Sequence, residues 1–454
     1  MKKILFISPA YRTKLLENLR VLALPPLNLT IIAAHTPEHY DLEIVDEAVE
    51  DINLEAHADI VAITCMTPMA PRAYEIARAF RSRGIPVVMG GIHVSMVPDE
   101  AAQYADSIVV GEGEYLWQDL LKDFENGSMK KFYRGGDNRP DIENLPRPRR
   151  DLLKGNYFVQ TVQTSRGCPY DCNFCSVTLF NGGRYRLRSI DKVIDEINSM
   201  EDKRLFIIDD NVIGSGKRYI ERAFQLFERL KDTGKEWCGQ TCLNIVEHEG
   251  LLKAAWKSGA RGFLIGFESI DAEALTSMNK SMNLRPNTMN FKDAINKIHD
   301  HGMAIVGGII LGTDYDNNDS FKRTVDFIMD SGLDAVQLSI QTPLPGTALY
   351  SQLDAEGRLL FKDYPHDWEY YNLFEPVFEP KNMSPEELYQ GLVDSYSAVS
   401  SFGASLKRGI RTFVKTKSMF STGISFFWNY DSYKTITKGS DIMNRLKRRS
   451  EGGA

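Results

Sequence analysis

Short apolar runs alternate with helix-period segments in two successive series, and this alternation restricts the possible folds more than any other feature of the sequence. The first series predicts five strands, at residues 4–8, 42–46, 60–64, 86–90 and 107–111. Segments with helical periodicity, such as residues 72–83, separate several of these runs. Because strands that are apolar throughout are buried on both faces, the pattern predicts a parallel sheet covered by helices on both sides.

The second series contains six β/α units in about 190 residues, which favours a barrel-type parallel sheet with fewer than the usual eight units. Its predicted strands are residues 158–165, 205–209, 236–243, 262–268, 304–311 and 335–341. In both kinds of parallel sheet, ligands bind at the carboxyl ends of the strands. We therefore expect functional residues directly after these runs.

A segment with several Gly and Pro residues separates the two series and is typical of a linker. We expect four parts: an α/β domain at residues 1–136, the linker at 137–157, the partial barrel at 158–373 and a mainly helical extension at 374–454. In the extension, Ser384 is a predicted N-cap and Pro385 occupies the first helical position. Residues 1–136 have a strand series of their own, and we expect them to fold alone.

The chain is acidic overall, with a formal net charge of −7. This charge is not that of a typical nucleic-acid-binding protein, and we expect no nucleic-acid partner. Residues 405–454 differ, since they hold eleven Lys or Arg against three acids, with aromatic residues among them. Two interpretations stay open for this tail: peripheral contact with an anionic membrane surface, or pairing with the acidic body of the protein.

The sequence favours a reducing, cytoplasmic location. Three of the six cysteines lie within eight residues, which does not fit a disulfide framework. The apolar run at the N-terminus is too short for a signal peptide, and no run reaches the roughly 18 apolar residues of a membrane span. We therefore expect a cytoplasmic protein whose thiolates can bind metal.

Cys168, Cys172 and Cys175 form a CxxxCxxC motif in the segment RGCPYDCNFC, directly after a predicted strand. Three thiolates on one short loop can hold three corners of an iron–sulfur cluster and leave one iron open to another ligand. The alternative is structural zinc, which normally has four ligands, and no other Cys or His lies between residues 158 and 237. Cys238 and Cys242 follow on a later strand, where buried, inert thiols are the simpler interpretation.

Polar residues also follow predicted strands of the second series. Asp209 and Asp210 end one strand, and Glu268 and Ser269 end another. Gln240 projects from the strand between them. These positions are typical of functional residues in a parallel barrel, although the two aspartates could instead cap a helix and the other three residues could simply end a strand.

The first series carries candidate residues at its own strand ends, where glycines allow a large ligand to approach the backbone. These are Thr64, Thr67, Gly90, Gly91, His93, Gly111, Glu112 and Gly113. For the threonines the alternative is a role in turns, and for His93 it is an ordinary core or surface position.

The segment RGCPYDCNFCS closely resembles the cluster loop of the radical S-adenosylmethionine (SAM) enzymes, in loop position, spacing and the aromatic residue before the third cysteine. Upstream, PPLNLTIIAAHTPE, GGIHVSMVPDEA and ADSIVVGEGE resemble the cobalamin-binding domain that is fused to many of these enzymes. Downstream, FIIDDN, GFLIGFESID, GGIILGTDYDNNDSF and TPLPGTALYSQL resemble the barrel of the same family. The MSPEEL segment is similar to the C-terminal extension of the hopanoid-methylase-like branch.

The resemblance implies an α/β protein with a Rossmann-like doubly wound sheet, a partial (β/α)6 radical SAM barrel and a mainly helical extension. It implies a 4Fe-4S cluster on Cys168, Cys172 and Cys175, with Phe174 as a shield beside bound SAM. Further SAM contacts are expected from Asp209, Asp210, Gln240, Glu268 and Ser269. Cobalamin is expected at the eight candidate residues of the first series and, since a DxHxxG motif is absent, without a histidine ligand on its lower face.

The activity that the resemblance implies is that of a class B radical SAM C-methyltransferase. SAM is cleaved at the cluster to give a radical that activates a carbon, and cobalamin delivers the methyl group. The implied partners are a hydrophobic substrate, such as a lipid or a tetrapyrrole, and an external one-electron donor of the flavodoxin or ferredoxin type. A non-methylating radical cyclase or oxidase, and a corrinoid or iron–sulfur carrier or sensor, stay open as alternatives. The sequence identifies no catalytic acid or base.

Overall fold

The computed structural model describes residues 1–11, 23–136, 139–437 and 441–450. Residues 137–138 of the predicted linker and residues 438–440 and 451–454 of the predicted basic tail lie outside the described residues. Within the described ranges, none of the helices combines the length and the apolar character needed to cross a membrane.

In the first part of the described chain, six parallel strands form one sheet in the order β2-β1-β3-β4-β5-β6. The strands are β1 (Lys2–Ser8), β2 (Tyr40–Asp46), β3 (Ile60–Thr64), β4 (Val87–Gly90), β5 (Ser107–Val110) and β6 (Phe132–Arg134). The helices are α1 (Leu27–Ala34), α2 (Ala70–Ser82), α3 (Ile92–Met96), α4 (Pro98–Ala101) and α5 (Glu114–Glu125). The chain reverses direction across the sheet between β1 and β3, and in doubly wound sheets this switch point opens a ligand-binding crevice at the carboxyl ends of the strands.

The second sheet is also parallel and six-stranded as far as the chain is described, with the order β14-β13-β12-β11-β10-β7. Its strands are β7 (Gln160–Val162), β10 (Arg204–Ile207), β11 (Glu236–Thr241), β12 (Ala260–Glu268), β13 (Ala304–Leu311) and β14 (Ala335–Ile340). A short antiparallel pair, β8 (Ser165–Arg166) and β9 (Arg186–Leu187), lies beside it. Because β7 and β14 stay at the two ends of the strand order, the sheet is the open, partial barrel that the six predicted units indicated.

Helices alternate with the strands of the second sheet, as the sequence predicted. They are α6 (Ser176–Asn181), α7 (Ile190–Asn198), α8 (Lys217–Lys231), α9 (Glu249–Lys257), α10 (Ala272–Ser277), α11 (Pro286–Met289), α12 (Phe291–Asp300), α13 (Asn318–Ser331) and α14 (Ala348–Ala355). The predicted fold class is therefore confirmed for both sheets.

The C-terminal extension is helical, which confirms the third part of the predicted fold. It consists of α15 (Pro385–Ser400), α16 (Phe402–Thr416), α17 (Met419–Thr437) and α18 (Ile442–Ser450). Ser384 caps α15 in a reciprocal capping box with Glu387, as its position before Pro385 predicted. The Tyr396 hydroxyl of α15 donates to the Leu338 carbonyl at 2.8 Å and accepts from the Leu338 amide at 2.9 Å, so this helix satisfies part of the open edge of β14.

The core of the first sheet includes residues from far along the chain. Trp368, Tyr370 and Tyr371 are almost fully buried in the same apolar cluster as the α2 side chains Tyr74 and Phe80. Trp368 also donates through its indole nitrogen to Glu100 of α4 at 3.0 Å. The structure therefore does not favour the expectation that residues 1–136 fold alone, because this face of the first domain is covered by the later segment.

Candidate functional site

The CxxxCxxC motif forms the loop between β8 and α6, beyond the carboxyl end of β7. Gly167 begins the loop with φ = 88°, and a Cβ atom there would lie 2.1 Å from the Arg184 carbonyl oxygen, so only glycine fits. The last cysteine, Cys175, is the N-cap residue of α6. The loop therefore turns tightly at its start and ends at a helix N-terminus, and all three cysteines stay partly exposed.

The electrostatic surroundings of the three thiols are similar. Burial raises the pKa of Cys172 to about 11 and also raises the pKa of Cys175, while the nearby Lys280 ammonium opposes both shifts. A hydrogen bond with Cys242, together with burial, raises the pKa of Cys168. The thiols are therefore protonated in the protein alone, and a bound metal centre would supply the positive charge that favours thiolates.

The donor set of the loop has the chemistry that an iron–sulfur cluster requires. Among residues 1–11, 23–136, 139–437 and 441–450, no three His, Cys, Asp or Glu side chains converge on one point in the manner of a metal-ion site. The three thiolates of a cluster loop bind three different irons, so they stand farther apart than the ligands of zinc. Soft thiol donors on one loop are the ligands that this cluster needs.

Asp209 and Asp210, at the end of β10, have different surroundings. Asp209 is fully buried, and its carboxylate accepts from the Thr164 amide at 2.6 Å and from the Ser165 hydroxyl at 2.7 Å. It thereby fixes the chain just before the cysteine loop. Asp210 accepts from the Gly167 amide at 3.1 Å, and burial raises the pKa of Asp210 to about 6.

Glu268 occupies a strained position at the end of β12. Its φ is 63°, in the left-handed region that a side chain rarely adopts, and the pairing register with β13 shifts here because Phe267 is an extra residue. The Asn283 amide donates to the carbonyls of Gly266 and Phe267 at 3.0 and 2.8 Å and so holds the bulge. Backbone strain that neighbouring groups maintain in this way is typical of binding sites.

The Glu268 carboxylate pairs with Lys280, whose Nζ lies 2.8 Å from its Oε1. Burial disfavours the charged lysine, but Glu268, Cys242 and Cys172 together outweigh burial and raise the pKa of Lys280. Gly266 and Gly308 are register partners beside this pair, so neither strand contributes a side chain of its own there. A Cβ atom on Gly266 would lie 2.1 Å from Glu268 Oε1, and this glycine therefore makes room for the carboxylate.

The other predicted SAM contacts are distributed around this edge of the barrel. Gln240 is partly exposed on β11 and lines the cavity described below. Phe174 packs against the core of the barrel. Ser269 is buried, and its hydroxyl accepts from the amide of Asp271, the N-cap of α10, at 3.0 Å. This contact lies within the turn after β12, as expected if Ser269 only ends the strand.

In the first sheet, the crevice at the switch point has Thr64 at its edge. The Thr64 hydroxyl accepts from the Asn28 side chain at 2.7 Å, so the first turn of α1 reaches the end of β3. A Cβ atom on Gly91 would lie 2.7 Å from the Cys65 carbonyl oxygen, which makes glycine necessary after β4. Gly90 and Gly111 likewise leave the ends of β4 and β5 without side chains.

His93 and Thr67 do not face this crevice but lie in a buried network. The His93 ring is fully buried, with Nδ1 3.3 Å from the Thr67 hydroxyl and Nε2 3.2 Å from the Tyr74 hydroxyl. Burial lowers the pKa of His93, although Glu100 opposes the shift. These contacts are those of a core histidine.

Glu112 and Gly113 join the first sheet to the barrel. The buried Glu112 carboxylate accepts from Arg166 at 2.6 Å and from Arg186 at 2.5 Å. Arg166 also pairs with Glu114 at 2.5 Å. These contacts are here called the Glu112 clamp (Glu112, Glu114, Arg166 and Arg186). Since Arg166 directly precedes Gly167, the Glu112 clamp connects the loop after β5 to the start of the cysteine loop. Gly113 packs closely against α1, because a Cβ atom added at Gly113 would lie 3.3 Å from the Ile32 side chain.

A largely apolar cavity of about 680 Å³ lies between the two sheets. Its walls come from the strand ends of the first sheet, the interior of the barrel and α17. Representative lining residues are Ser8, Asp46, Thr64, Met66, Phe206, Gln240, Leu264, Val306, Phe420, Ile424 and Trp428. Of the predicted site residues, Thr64 and Gln240 line it, whereas the three cysteines and Glu268 do not.

Several residues of this site were missed by the sequence reasoning. Lys280 and Asn283 come from the turn after α10, and nothing local in the sequence relates them to the end of β12. Arg166 and Arg186 are likewise unremarkable in sequence, although Arg166 stands two residues before Cys168. Only the tertiary fold brings these side chains to the site.

Comparison with known proteins agrees with this architecture. The family model of the Radical SAM superfamily matches residues 162–328, and that of the B12 binding domain matches residues 20–121. The bacteriochlorophyllide d C-12(1)-methyltransferase of Chlorobaculum tepidum is 30% identical over 420 residues, which are 90% of this chain and 89% of that protein. The hopanoid C-2 methylase of Rhodopseudomonas palustris is 28% identical over 353 residues, 75% of this chain and 66% of that protein.

A solved structure has the same fold. The radical SAM methyltransferase TsrM from Kitasatospora setae, with cobalamin and a 4Fe-4S cluster bound, aligns with a TM-score of 0.68 over 99% of this chain and 100% of that chain, at 15% identity. At this identity the likeness shows the fold alone. The two domain models and the nearly full-length methyltransferase relative show more: the cofactors are a 4Fe-4S cluster, SAM and cobalamin. The chain belongs to the family of cobalamin-dependent radical SAM methyltransferases.

Proposed function

We propose that this enzyme methylates a carbon of a hydrophobic, polycyclic or isoprenoid substrate inside the cavity between the two sheets. The observation that carries the proposal is the lining of this cavity, which joins the switch-point crevice of the first sheet to the apolar interior of the barrel. A cobalamin at the crevice and a substrate in the barrel would then share one water-poor space. The named relatives act on a bacteriochlorophyllide and a hopanoid, and both compounds are of this chemical class.

Cys168, Cys172 and Cys175 are proposed as the cluster ligands. Their support is the loop itself: a glycine-dependent turn, three partly exposed thiols and a nearby ammonium group that offsets thiolate charge. When bound, the cluster and SAM supply hydrogen abstraction, and cobalamin supplies methyl transfer. The protein contributes position and exclusion of water.

For SAM, the proposed binding residues are those around the strained end of β12. Glu268 offers a carboxylate beside the bare backbone at Gly266 and Gly308, and Lys280 holds that carboxylate in place. Gln240 extends the site along β11 toward the cavity, and Phe174 shields its cluster side. Asp210 supports the cysteine loop through the Gly167 amide, and Asp209 and Ser269 position the adjoining backbone.

For cobalamin, the proposed site is the crevice edge formed by Thr64, Gly90, Gly91 and Gly111. Thr64 can hydrogen-bond the ligand while Asn28 orients its hydroxyl. The remaining predicted contacts, Thr67, His93, Glu112 and Gly113, are proposed to support this edge from behind, since their side chains or Cβ positions face other protein groups.

The cluster assignment is tested by iron content. We expect the Cys168→Ala/Cys172→Ala/Cys175→Ala variant, reconstituted anaerobically, to lose the iron and the brown absorbance of the parent protein. Cys238→Ala is the matched control, since that thiol is buried on β11 away from the loop. Retention of iron by the triple variant would remove these residues as ligands.

The reaction is tested by product analysis. With a tetrapyrrole or polycyclic isoprenoid substrate, SAM, cobalamin and a reductant, we expect formation of deoxyadenosine and a product heavier by one CH2 group. Deoxyadenosine with an unchanged or dehydrogenated product would instead favour the radical cyclase or oxidase. A protein that forms no deoxyadenosine under any of these conditions would be a carrier or sensor.

Two partners complete the proposal. An external one-electron donor of the flavodoxin or ferredoxin type is needed because the cluster must be reduced before each SAM cleavage. Peripheral contact with a membrane is supported by the excess of basic residues in 405–454 and by the hydrophobic nature of the proposed substrate.

A further inference from the structure

Helix α16 is oriented with its apolar face outward. Its five large apolar side chains, here called the α16 stripe, are all exposed: Phe402, Leu406, Ile410, Phe413 and Val414. Their spacing of three and four residues places them along one side of the helix. The exposed fraction of these side chains lies between 42% (Phe413) and 59% (Ile410), so the protein leaves a continuous hydrophobic surface in contact with solvent.

The opposite, buried face of α16 is polar. The Thr412 hydroxyl donates to Asp334 at 2.6 Å, and Arg408 donates to the Asn429 side chain of α17 at 3.2 Å. The Arg411 guanidinium donates to the Leu333 carbonyl. Hydrogen bonds to the barrel and to α17 therefore determine which side of the helix faces inward, and the orientation cannot reverse without leaving these buried groups unpaired.

The charges beside the stripe are of one sign. Lys407 is exposed on α16 next to the stripe, Lys415 is exposed farther round the same helix, and Lys417 is exposed directly after it. The sequence of α16 contains no Asp or Glu. An apolar helix face with bordering lysines is the pattern by which amphipathic helices bind in the plane of an anionic bilayer surface.

We propose that the α16 stripe is the surface by which this enzyme docks on an anionic membrane. The inference rests on the membrane contact proposed above and names the face that makes it. A second copy of the chain fits this surface less well, since two such faces would bring lysines of like charge together. The lysines instead complement the negative surface potential of acidic lipids.

The position of α17 relates this surface to the cavity. One side of α17 packs on α16, through Phe426 beside Gly409 and through Asn429. Another side lines the cavity with Phe420, Ile424 and Trp428. The docking face therefore lies one helix away from the proposed substrate space.

The test uses the full-length chain and sedimenting vesicles of phosphatidylglycerol or phosphatidylcholine. We expect the parent protein to bind the phosphatidylglycerol vesicles and the Leu406→Gln/Ile410→Gln/Val414→Gln variant to bind about 100-fold more weakly, from the apolar burial it loses. Exposed helix positions tolerate glutamine with little effect on folding. The matched control is Met289→Gln, because Met289 and Ile410 are both 59% exposed.

A second variant tests how much the lysines of α16 contribute to vesicle binding. We expect Lys407→Gln/Lys415→Gln to weaken binding roughly 30-fold, since each basic residue at such a surface contributes about 1 kcal/mol. The control is Lys253→Gln/Lys257→Gln, two exposed lysines of α9. Equal binding of the two double variants would overturn the role of the α16 charges.

The other outcomes separate the inference from the proposals on which it rests. If the parent protein does not bind vesicles, both the membrane contact and the docking face are contradicted. The enzymatic proposal is unaffected by this outcome, because iron content and product mass test it separately. If the triple variant binds as tightly as the parent protein, the α16 stripe is not the docking face, although the membrane contact itself stands. A parent dimer that the triple variant converts to a monomer in sedimentation velocity would assign the stripe to a second copy and overturn the proposal.

Discussion

At the level of single residues, burial determines the protonation of Asp210 beside the cysteine loop. The pKa of Asp210 is raised to about 6, above its value of 3.8 in an unfolded chain. The folded protein therefore binds this proton more tightly than the unfolded chain, and ionised Asp210 reduces stability increasingly between roughly pH 4 and pH 6 and fully above that range.

We expect Asp210→Asn to stabilise the protein without cofactors, and to do so more at higher pH. The amide oxygen can still accept from Gly167, while the penalty of a buried charge disappears. The gain in free energy of unfolding should be about 1.4 kcal/mol larger near pH 7.5 than near pH 5, measured by urea unfolding. A gain of the same size at both pH values would contradict burial as the cause.

Glu112 gives a second prediction at this scale, because it distinguishes the Glu112 clamp from direct cobalamin binding. Replacement by alanine leaves the largely buried Arg186 without its carboxylate and Arg166 with Glu114 alone, and we expect a loss of about 3 kcal/mol in the free energy of unfolding. Glu143→Ala, at an exposed acid of the same chain region, should change stability by less than about 0.5 kcal/mol. If Glu112→Ala instead keeps full stability and loses only cobalamin retention, Glu112 is a ligand contact.

At the level of secondary structure, most central strands were predictable because they contain a short apolar run, such as residues 4–7 in β1 and residues 60–63 in β3. β6 was not predicted, since at an edge of the sheet its three residues alternate in burial and show no such run. The bulge at Phe267 could not be predicted from the sequence either, because Asn283 and Lys280, which stabilise it, come from a later turn. The cysteine loop was predictable because its three cysteines lie close together in the sequence.

The tail shows the same division between local and tertiary information. The amphipathic pattern of α16 is readable in the sequence, but a pattern does not indicate which face is buried. Apolar burial alone would place the apolar face of α16 inward. The hydrogen bonds to Asp334, Leu333 and Asn429 instead place its polar face inward. Some of the basic residues do pair with the body of the protein, such as Arg445 with Asp367.

The edge of the barrel gives a prediction for α15. In Tyr396→Phe, the buried amide and carbonyl of Leu338 lose their hydroxyl partner, and we expect a loss of about 1–3 kcal/mol in the free energy of unfolding. Tyr104→Phe is the control, because that ring stacks on Tyr74 and a change below about 0.5 kcal/mol is expected there. Equal effects in the two variants, measured by urea unfolding, would mean that the Leu338 contacts contribute nothing.

At the level of the whole molecule, the core of the first sheet includes a segment that follows β14. A fragment that ends at Gly136 lacks Trp368, Tyr370 and Tyr371, and exposes the face of α2 that these residues cover. We expect this fragment to bind the dye ANS and to lack a cooperative thermal transition, as partly folded states do. A sharp transition and no dye binding would support the independent first domain that the sequence predicted.

The open edge of the second sheet has a consequence for synthesis. Strand β14 ends at Ile340, but Tyr396 and Asn429, which satisfy its backbone, are made about 56 and 89 residues later. At 5–20 residues per second, the ribosome needs roughly 3–18 s to supply them. During that interval the nascent barrel has an uncovered strand that can pair with a neighbouring chain. The yield of soluble protein should therefore depend on translation speed and chaperone supply over residues 341–429 more than on any later step.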